Sequence, residues 1–241
     1  MKNNDIAIVI PSYNEVKNIG ILIKSISREL GETKIIIVDD SSVSENKKLK
    51  DIIKGKRNIK LISRLKKEGR GSAVLDGFRE VLKDKNKKYI FEMDSDLAHD
   101  PKEMKRFIKQ DNGGEYDLII GSRYLSGSKI INIAPSRTIM SRIINKVLYY
   151  WLGIHISDHT SGFRLYSRNA VKFLVKTKIN SKGFITLSET AYKLFLSGFR
   201  ISEVPITWNY RRYGKSNVDN KELINSLFFV IRMRFEKVSN S

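Results

Sequence analysis

The sequence contains no cysteine, which excludes a disulfide framework and a thiolate metal site and leaves a reducing compartment open to it. No apolar run reaches the roughly 18 residues that a membrane-spanning helix needs. After Met1-Lys2-Asn3-Asn4-Asp5 the first strand pattern is only five residues long. That is too short for the apolar region of a signal peptide, so the expectation is a protein made and kept in the cytoplasm. Internal repeats, low-complexity tracts and Pro/Gly/Ser linkers are also lacking, and residues 1–241 are expected to form one domain. Acidic residues are in deficit: 26 Asp and Glu face 45 Lys and Arg, a formal charge of +19. Such a surface attracts phosphates, whether on nucleic acid, on anionic lipid or on a small substrate, and charge alone does not choose among them.

What the chain does have is alternation. Short β-branched runs (Ile6 to Ile10, Lys34 to Val38, Ile59 to Ile62, Tyr89 to Met93, Asp117 to Ile120) are separated by helical patterns. The helices are expected at Glu15 to Leu30, Glu45 to Lys54, Gly71 to Leu82 and Pro101 to Lys109. Strict alternation predicts an α/β fold with a mostly parallel central sheet flanked by helices.

The strand ends carry the polar residues. Tyr89-Ile90-Phe91-Glu92-Met93 runs into Asp94-Ser95-Asp96, two hard oxygen donors suited to Mg²⁺ or Mn²⁺ carrying a diphosphate at the carboxyl edge of a sheet. An acidic turn or helix cap is the alternative. In Pro11-Ser12-Tyr13-Asn14-Glu15, Pro11 is expected to end the first strand and a polar group to cap the next helix. Asp39-Asp40-Ser41-Ser42 offers carboxylates to a base or ribose and hydroxyls to a helix start. Glu68-Gly69-Arg70-Gly71-Ser72 opens a helix but matches neither the Walker nor the dinucleotide pattern.

Between Arg137 and Leu152 the apolar residues Ile139, Met140, Ile143, Ile144, Val147, Leu148, Trp151 and Leu152 form one helical stripe. Another face holds Arg137, Ser141 and Asn145. Arg137 and Ser141, one turn apart, can reach the same anion, with Arg123 supplying a second guanidinium; Arg142 and Lys146 read as a solvated cationic face. The segment Glu222 to Lys237 suggests an amphipathic helix, over about 220–237, that lies on a membrane or packs on the core.

Taken together, these segments resemble the inverting glycosyltransferases of family 2, in particular the dolichol-phosphate (polyprenol-phosphate) mannosyltransferase branch. The resemblance rests on Val9-Ile10-Pro11-Ser12-Tyr13-Asn14-Glu15, Val38-Asp39-Asp40-Ser41-Ser42, Gly69-Arg70-Gly71-Ser72-Ala73 with Gly77-Phe78, Met93-Asp94-Ser95-Asp96-Leu97 and Gly121-Ser122-Arg123-Tyr124. Ser161-Gly162-Phe163-Arg164 and Val204-Pro205-Ile206-Thr207, followed by Arg211, Gly214 and Ser216, point to that branch. The resemblance implies a GT-A fold and inverting transfer of mannose from GDP-mannose to a dolichyl or polyprenyl monophosphate. It implies Asp94 and Asp96 on Mg²⁺ or Mn²⁺, and Pro11, Tyr13, Glu15 and Asp40 around the nucleotide. Arg123, Arg137 and Ser141 would bind the acceptor phosphate, while Arg211, assisted by Lys215 and Ser216, would close over the donor diphosphate. Asp94, Asp96, Arg123 and Arg211 are the expected catalytic residues.

The chain departs from the family at Ala98, where a Gln often gives a further metal contact; water or His99 could substitute, and a hydrogen-bonded loop role for His99 is the alternative. Glu189 is expected to contact the sugar or anchor arginines, and Phe184 to pack. Without membrane helices, the protein is expected to meet its lipid peripherally at the cytoplasmic membrane face, or to use an integral membrane partner subunit. Rivals are a polyprenyl-phosphate glucosyltransferase or another family 2 transferase using a UDP-sugar, and a noncatalytic basic nucleic-acid-binding protein. Dispersed Lys and Arg argue against a nucleic acid partner.

Overall fold

A computed structural model describes residues 2–64, 66–181, 183–209 and 229–235. Strand β1 (Ile6–Ser12) is apolar through Pro11 and buried throughout, as a central strand covered on both sides must be. Helix α1 (Val16–Leu30) buries Ile19, Leu22, Ile23, Ile26 and Leu30 at three- and four-residue steps and ends at Gly31, whose φ of 65° suits glycine. Then come β2 (Lys34–Asp39), α2 (Val43–Ile53), β3 (Ile59–Ser63), α3 (Arg70–Leu82), β4 (Tyr89–Glu92), α4 (Met104–Asp111) and β5 (Leu118–Ser122). The second half contains β6 (Lys129–Ile131), α5 (Pro135–Leu152), β7 (Arg164–Ser167), α6 (Arg168–Lys176), α7 (Thr186–Leu196), β8 (Ile201–Pro205) and β9 (Thr207–Asn209).

The main sheet has the order β3-β2-β1-β4-β7-β5-β8, and β6 pairs with β9 apart from it. All neighbours in the main sheet are parallel except β7, which runs antiparallel between β4 and β5 with Arg164 opposite Glu92 and Ile120. That reversal matters: residues 158–163, which lead into β7, arrive at the edge where β4 and β5 end. Alternate residues of β1 feed two cores. Ala7 and Val9 join α3, α6 and the inward side of α5, while Ile6, Ile8 and Ile10 join α1, Phe91, Phe107 and Phe163. Each such buried aliphatic side chain contributes about 1.5–3 kcal/mol before entropy.

Three expectations are corrected. Pro11 does not break β1: it pairs with Val38 of β2, and because β4 pairs only up to Val9, a residue without an N–H is tolerated beyond that point. No side chain caps α1, which starts after Glu15; on α2, Ser42 Oγ accepts from Glu45 N. The helix foreseen from Pro101 starts with a 3₁₀ turn, Pro101–Glu103, capped by Asp100. On α5 the apolar stripe divides: Ile139 and Met140 are each 58% exposed and Ile143 53%, while Leu148 and Leu152 of the same stripe, with Asn145, face the core.

Residues 229–233 are helical and pack against the end of α5. Trp151 Nε1 donates to Val230 O at 3.0 Å, Arg234 lies over the Trp151 ring, and Val230 and Met233 are buried. Ile231 and Phe235 stay exposed. The rest of the expected C-terminal helix lies outside the described residues. Among the described residues, no helix is long and apolar enough to cross a membrane.

Candidate active site

The carboxyl edge of the sheet collects charge. Strand β4 delivers Glu92, and the following loop presents Asp94 and Asp96, both partly exposed. Asp96 Oδ1 accepts from Ala98 N at 3.1 Å, and Leu97 takes a φ of 64°, unusual for a branched residue. Ala98 is buried, and its carbonyl accepts from Asn209 N at 3.0 Å. His99 forms an antiparallel bridge with Trp208, so β9 is fastened to the carboxylate loop. Arg211, Lys215 and Ser216 follow β9 and lie outside the described residues. His99 is buried and stacked on Phe163, with ring centroids 5.0 Å apart. Burial lowers its pKa, against the pull of Asp94 and Asp96, and its Nδ1 has no hydrogen-bond partner among the described residues.

Sequence reasoning missed the central cation. Arg70, at the start of α3, donates Nε to Asp94 Oδ1 at 2.8 Å and Nη1 to Glu92 Oε1 at 2.6 Å. Tyr166 of β7 donates to the other Glu92 oxygen at 2.7 Å. Burial works against the Arg70 charge, but Asp94 and Glu92 outweigh it and raise its pKa above the ordinary guanidinium value. Gly162 makes room for this pair: a Cβ there would lie 2.3 Å from Arg70 Nη2 and 2.7 Å from Asp94 Oδ2. The signal was inside a motif already singled out, as the one charged residue between Gly69 and Gly71.

A second pair stands two strands over, beyond β1. Asp40, foreseen as an acceptor for a base or ribose, has both carboxylate oxygens engaged by Arg64, at 2.5 and 2.7 Å. Arg64 also donates to Ser72 Oγ and Gly69 O. Asp40 therefore fixes the 64–69 loop through Arg64 and is not an open carboxylate. That loop brings Lys67 Nζ to 4.3 Å from the centre of the Tyr13 ring. Pro11 is buried; Glu15 accepts from the Asn18 side-chain amide.

At the end of β5, Arg123 donates Nε and Nη2 to Asp158 at 2.7 and 2.8 Å and Nη2 to Thr160 at 2.6 Å. Asp158 is fully buried; burial opposes its charge, but Arg123 outweighs burial and holds its pKa below the usual range. Tyr124 donates to Ser141 Oγ at 2.6 Å, which joins β5 to α5. Asn145 locks the helix in place, donating to Thr160 Oγ1 at 3.2 Å and accepting from His159 N at 2.7 Å. Arg123 and Ser141 are thus brought to one region, and Arg137 stands exposed one turn earlier on α5. Beside them a groove of about 260 Å³ is lined by Tyr124, Arg142, Lys146, Tyr149 and Tyr150. Asp158 and Thr160 gave no motif to read.

Among the described residues, Glu189 anchors no arginine. It is fully buried, accepts from Asn180 N and Ser181 N at 2.9 and 2.8 Å, and pairs with Lys193. Phe184, expected to pack, is 38% exposed.

The profile of Glycosyl transferase family 2 matches residues 7–174. The chain belongs to glycosyl transferase family 2. Polyprenol monophosphomannose synthase of Mycolicibacterium smegmatis is 30% identical over 225 residues, 92% of this chain and 84% of that protein. Undecaprenyl-phosphate mannosyltransferase of Micrococcus luteus is 29% identical over 211 residues, 87% and 86% of the two chains. Among solved structures, glucosyl-3-phosphoglycerate synthase of Mycobacterium tuberculosis with UDP superimposes with a TM-score of 0.68 at 17% identity, covering 98% of this chain and 82% of that one. The same enzyme with Mn²⁺, UDP and phosphoglyceric acid gives 0.65 at 18%, covering 95% and 77%. At that identity the likeness establishes the GT-A fold. The protein is a glycosyltransferase, and the noncatalytic alternative falls.

As a site for the divalent cation common to such enzymes, this edge fits in part. Asp94 and Asp96 are the right hard donors, but among the described residues no group of three or more His, Cys, Asp or Glu side chains could hold a metal. Such a pair suits a cation that takes its remaining ligands from diphosphate oxygens and water.

Proposed function

We propose that this family 2 enzyme transfers mannose from GDP-mannose to a polyprenyl monophosphate, with inversion at the anomeric carbon. The observation that carries this reading is the join of an anion site to an apolar surface. Arg123 and the Tyr124–Ser141 pair lie where β5 meets α5, and the outward face of that helix exposes Ile139, Met140, Ile143 and Val147. A lipid phosphate has that polarity: a charged head and an apolar tail. Support for the sugar comes from the curated relatives, both named for mannosyl transfer to, or mannose on, a polyprenyl phosphate.

An acceptor phosphate is already anionic near neutral pH, so its oxygen attacks the anomeric carbon without a strong general base. The bond from that carbon to the diphosphate oxygen breaks, and its electron pair leaves with the nucleoside diphosphate. Arg123, pre-oriented by Asp158, holds the attacking phosphate in place with little reorganisation; Arg137 and Ser141 share its charge. The donor side is assigned to Tyr13, to the Arg64–Asp40 loop and, outside the described residues, to Arg211, Lys215 and Ser216. A divalent cation, Mg²⁺ or Mn²⁺, held by Asp94 and Asp96 would stabilise the departing diphosphate. The exposed face of α5, with Ile231 and Phe235 beyond it, is assigned to the surface of the cytoplasmic membrane.

The test is transfer of radiolabelled mannose from GDP-mannose to a short polyprenyl phosphate in detergent, with Mg²⁺, Mn²⁺ or EDTA and with UDP-glucose as a competing donor. Cation-dependent mannosyl lipid is expected, and Asp96→Ala should lower the rate by about a thousandfold or more while thermal unfolding is preserved. Glucosyl lipid in place of mannosyl lipid would correct the donor; full activity in Asp96→Ala would remove the cation site from the mechanism.

A further inference from the structure

We propose that Arg70 makes cation binding at Asp94 and Asp96 conditional on the donor diphosphate: its guanidinium occupies Asp94 when no diphosphate is bound and opposes a bare cation there. The proposal rests on the reading of those two carboxylates as cation ligands and adds to it an order of binding.

Arg70 cannot simply step aside. Its Nη1 is tied to Glu92, whose carboxylate is 2% exposed and whose other oxygen takes the Tyr166 hydroxyl. Withdrawing the guanidinium would leave a buried carboxylate with no counter-charge, which is strongly unfavourable. Nε and Nη2 both reach Asp94 Oδ1, at 2.8 and 2.7 Å. The backbone of Gly162 closes the other side, its carbonyl 3.5 Å from Arg70 Nη2. Inward, the space bounded by Arg70, Phe78, Tyr166 and Thr190 measures about 10 Å³, room for about one water. A cation arriving alone would therefore share Asp94 with a fixed positive charge, and Arg123 acts on the same carboxylate from β5. A diphosphate changes the balance. Its negative charges attract both the cation and the guanidinium, so three mutually repelling groups become a neutralised cluster. Because coupling between ligands is reciprocal, the cation must tighten the nucleotide by the same factor.

The experiment is binding of MnCl₂ to the whole protein, followed by the electron paramagnetic resonance signal of free Mn²⁺, alone and with GDP or UDP. Wild type is compared with Arg70→Leu and with Arg70→Leu/Glu92→Gln; the second keeps a partner for Tyr166 and removes the buried Glu92 charge that Arg70 compensates. Wild type should bind Mn²⁺ alone at least about tenfold more weakly than with a diphosphate, and both variants should bind Mn²⁺ alone at least about tenfold more tightly than wild type. Unchanged affinity for Mn²⁺ alone in the two variants, with their thermal unfolding intact, would overturn the proposal. Tight binding of Mn²⁺ alone by wild type would overturn it while leaving Asp94 and Asp96 as ligands; no binding with either diphosphate would overturn both.

Discussion

Arg64, Arg70 and Arg123 at the edge of the sheet have side chains no more than 15% exposed, each paired with a carboxylate, whereas Arg137 and Arg142 on α5 stand exposed beside Ile139 and Ile143. Both regions are rich in arginine, yet the residue does different work in each. At the edge, guanidinium and carboxylate are desolvated together, so losing one partner leaves the other buried and uncompensated. On α5 the two guanidinium side chains lie at the surface, and the apolar side chains between them remain in contact with solvent. The penalty for losing one partner is therefore concentrated at the sheet edge, and the exposed apolar surface on the helix.

The sharpest way to break this contrast is to remove Asp158. Asp158→Ala should cost about 3–5 kcal/mol in urea unfolding, since Arg123 would lose the carboxylate that compensates its burial; a loss below about 1 kcal/mol would mean the edge is no more committed than the surface. The next effect comes from protons. His159 is fully buried, and burial, with Arg164 adding to it, lowers its pKa to about 4 from an ordinary 6.5. The unfolded chain then binds the extra proton between those values, so stability falls as pH drops from 6.5 towards 4, by at most about 3 kcal/mol. Unfolding midpoints measured across that range should decline in wild type and flatten in His159→Asn; an equal slope in both would assign the decline to another group.

On the helix the expected changes are in function. Arg137→Ala should raise the KM for polyprenyl phosphate about tenfold, roughly 1.4 kcal/mol of binding, with unfolding unchanged within about 0.5 kcal/mol. Unaltered lipid-phosphate kinetics would detach Arg137 from the acceptor. Ile143→Ser should change stability least, by no more than about 0.5 kcal/mol, yet reduce sedimentation with anionic vesicles. A large loss of stability there would show that the outward face of α5 is covered in solution.

Periodicity and motif position made the first half legible. The ends of β1, β2, β3 and β5 fall within one or two residues of the β-branched runs; those of β1, β2 and β5 are buried on both faces, while β3 at the sheet edge is only partly buried. Asp94, Asp96 and Arg123 were legible for a related reason: they directly follow strands whose ends lie at one edge. Arg70 was visible only as a charge between glycines, since nothing local says that α3 starts beside Glu92. Asp158 and Asn145 were less legible still, because they reach Arg123 and Thr160 only once β7 runs antiparallel between its neighbours.

By itself, then, the chain's pattern determined the alternation of strands and helices, the set of polar strand ends and the helical stripe of α5, all of which depend on neighbours a few residues apart. Tertiary structure decided which carboxylate each arginine answers to and which way that stripe faces. Pairing depends on groups 22 to 35 residues apart, such as Arg70 with Glu92 and Arg123 with Asp158. The setting of α5 was fixed by Asn145, Leu148 and Leu152, which occupy the inward side and leave Ile139, Met140, Ile143 and Val147 at the surface.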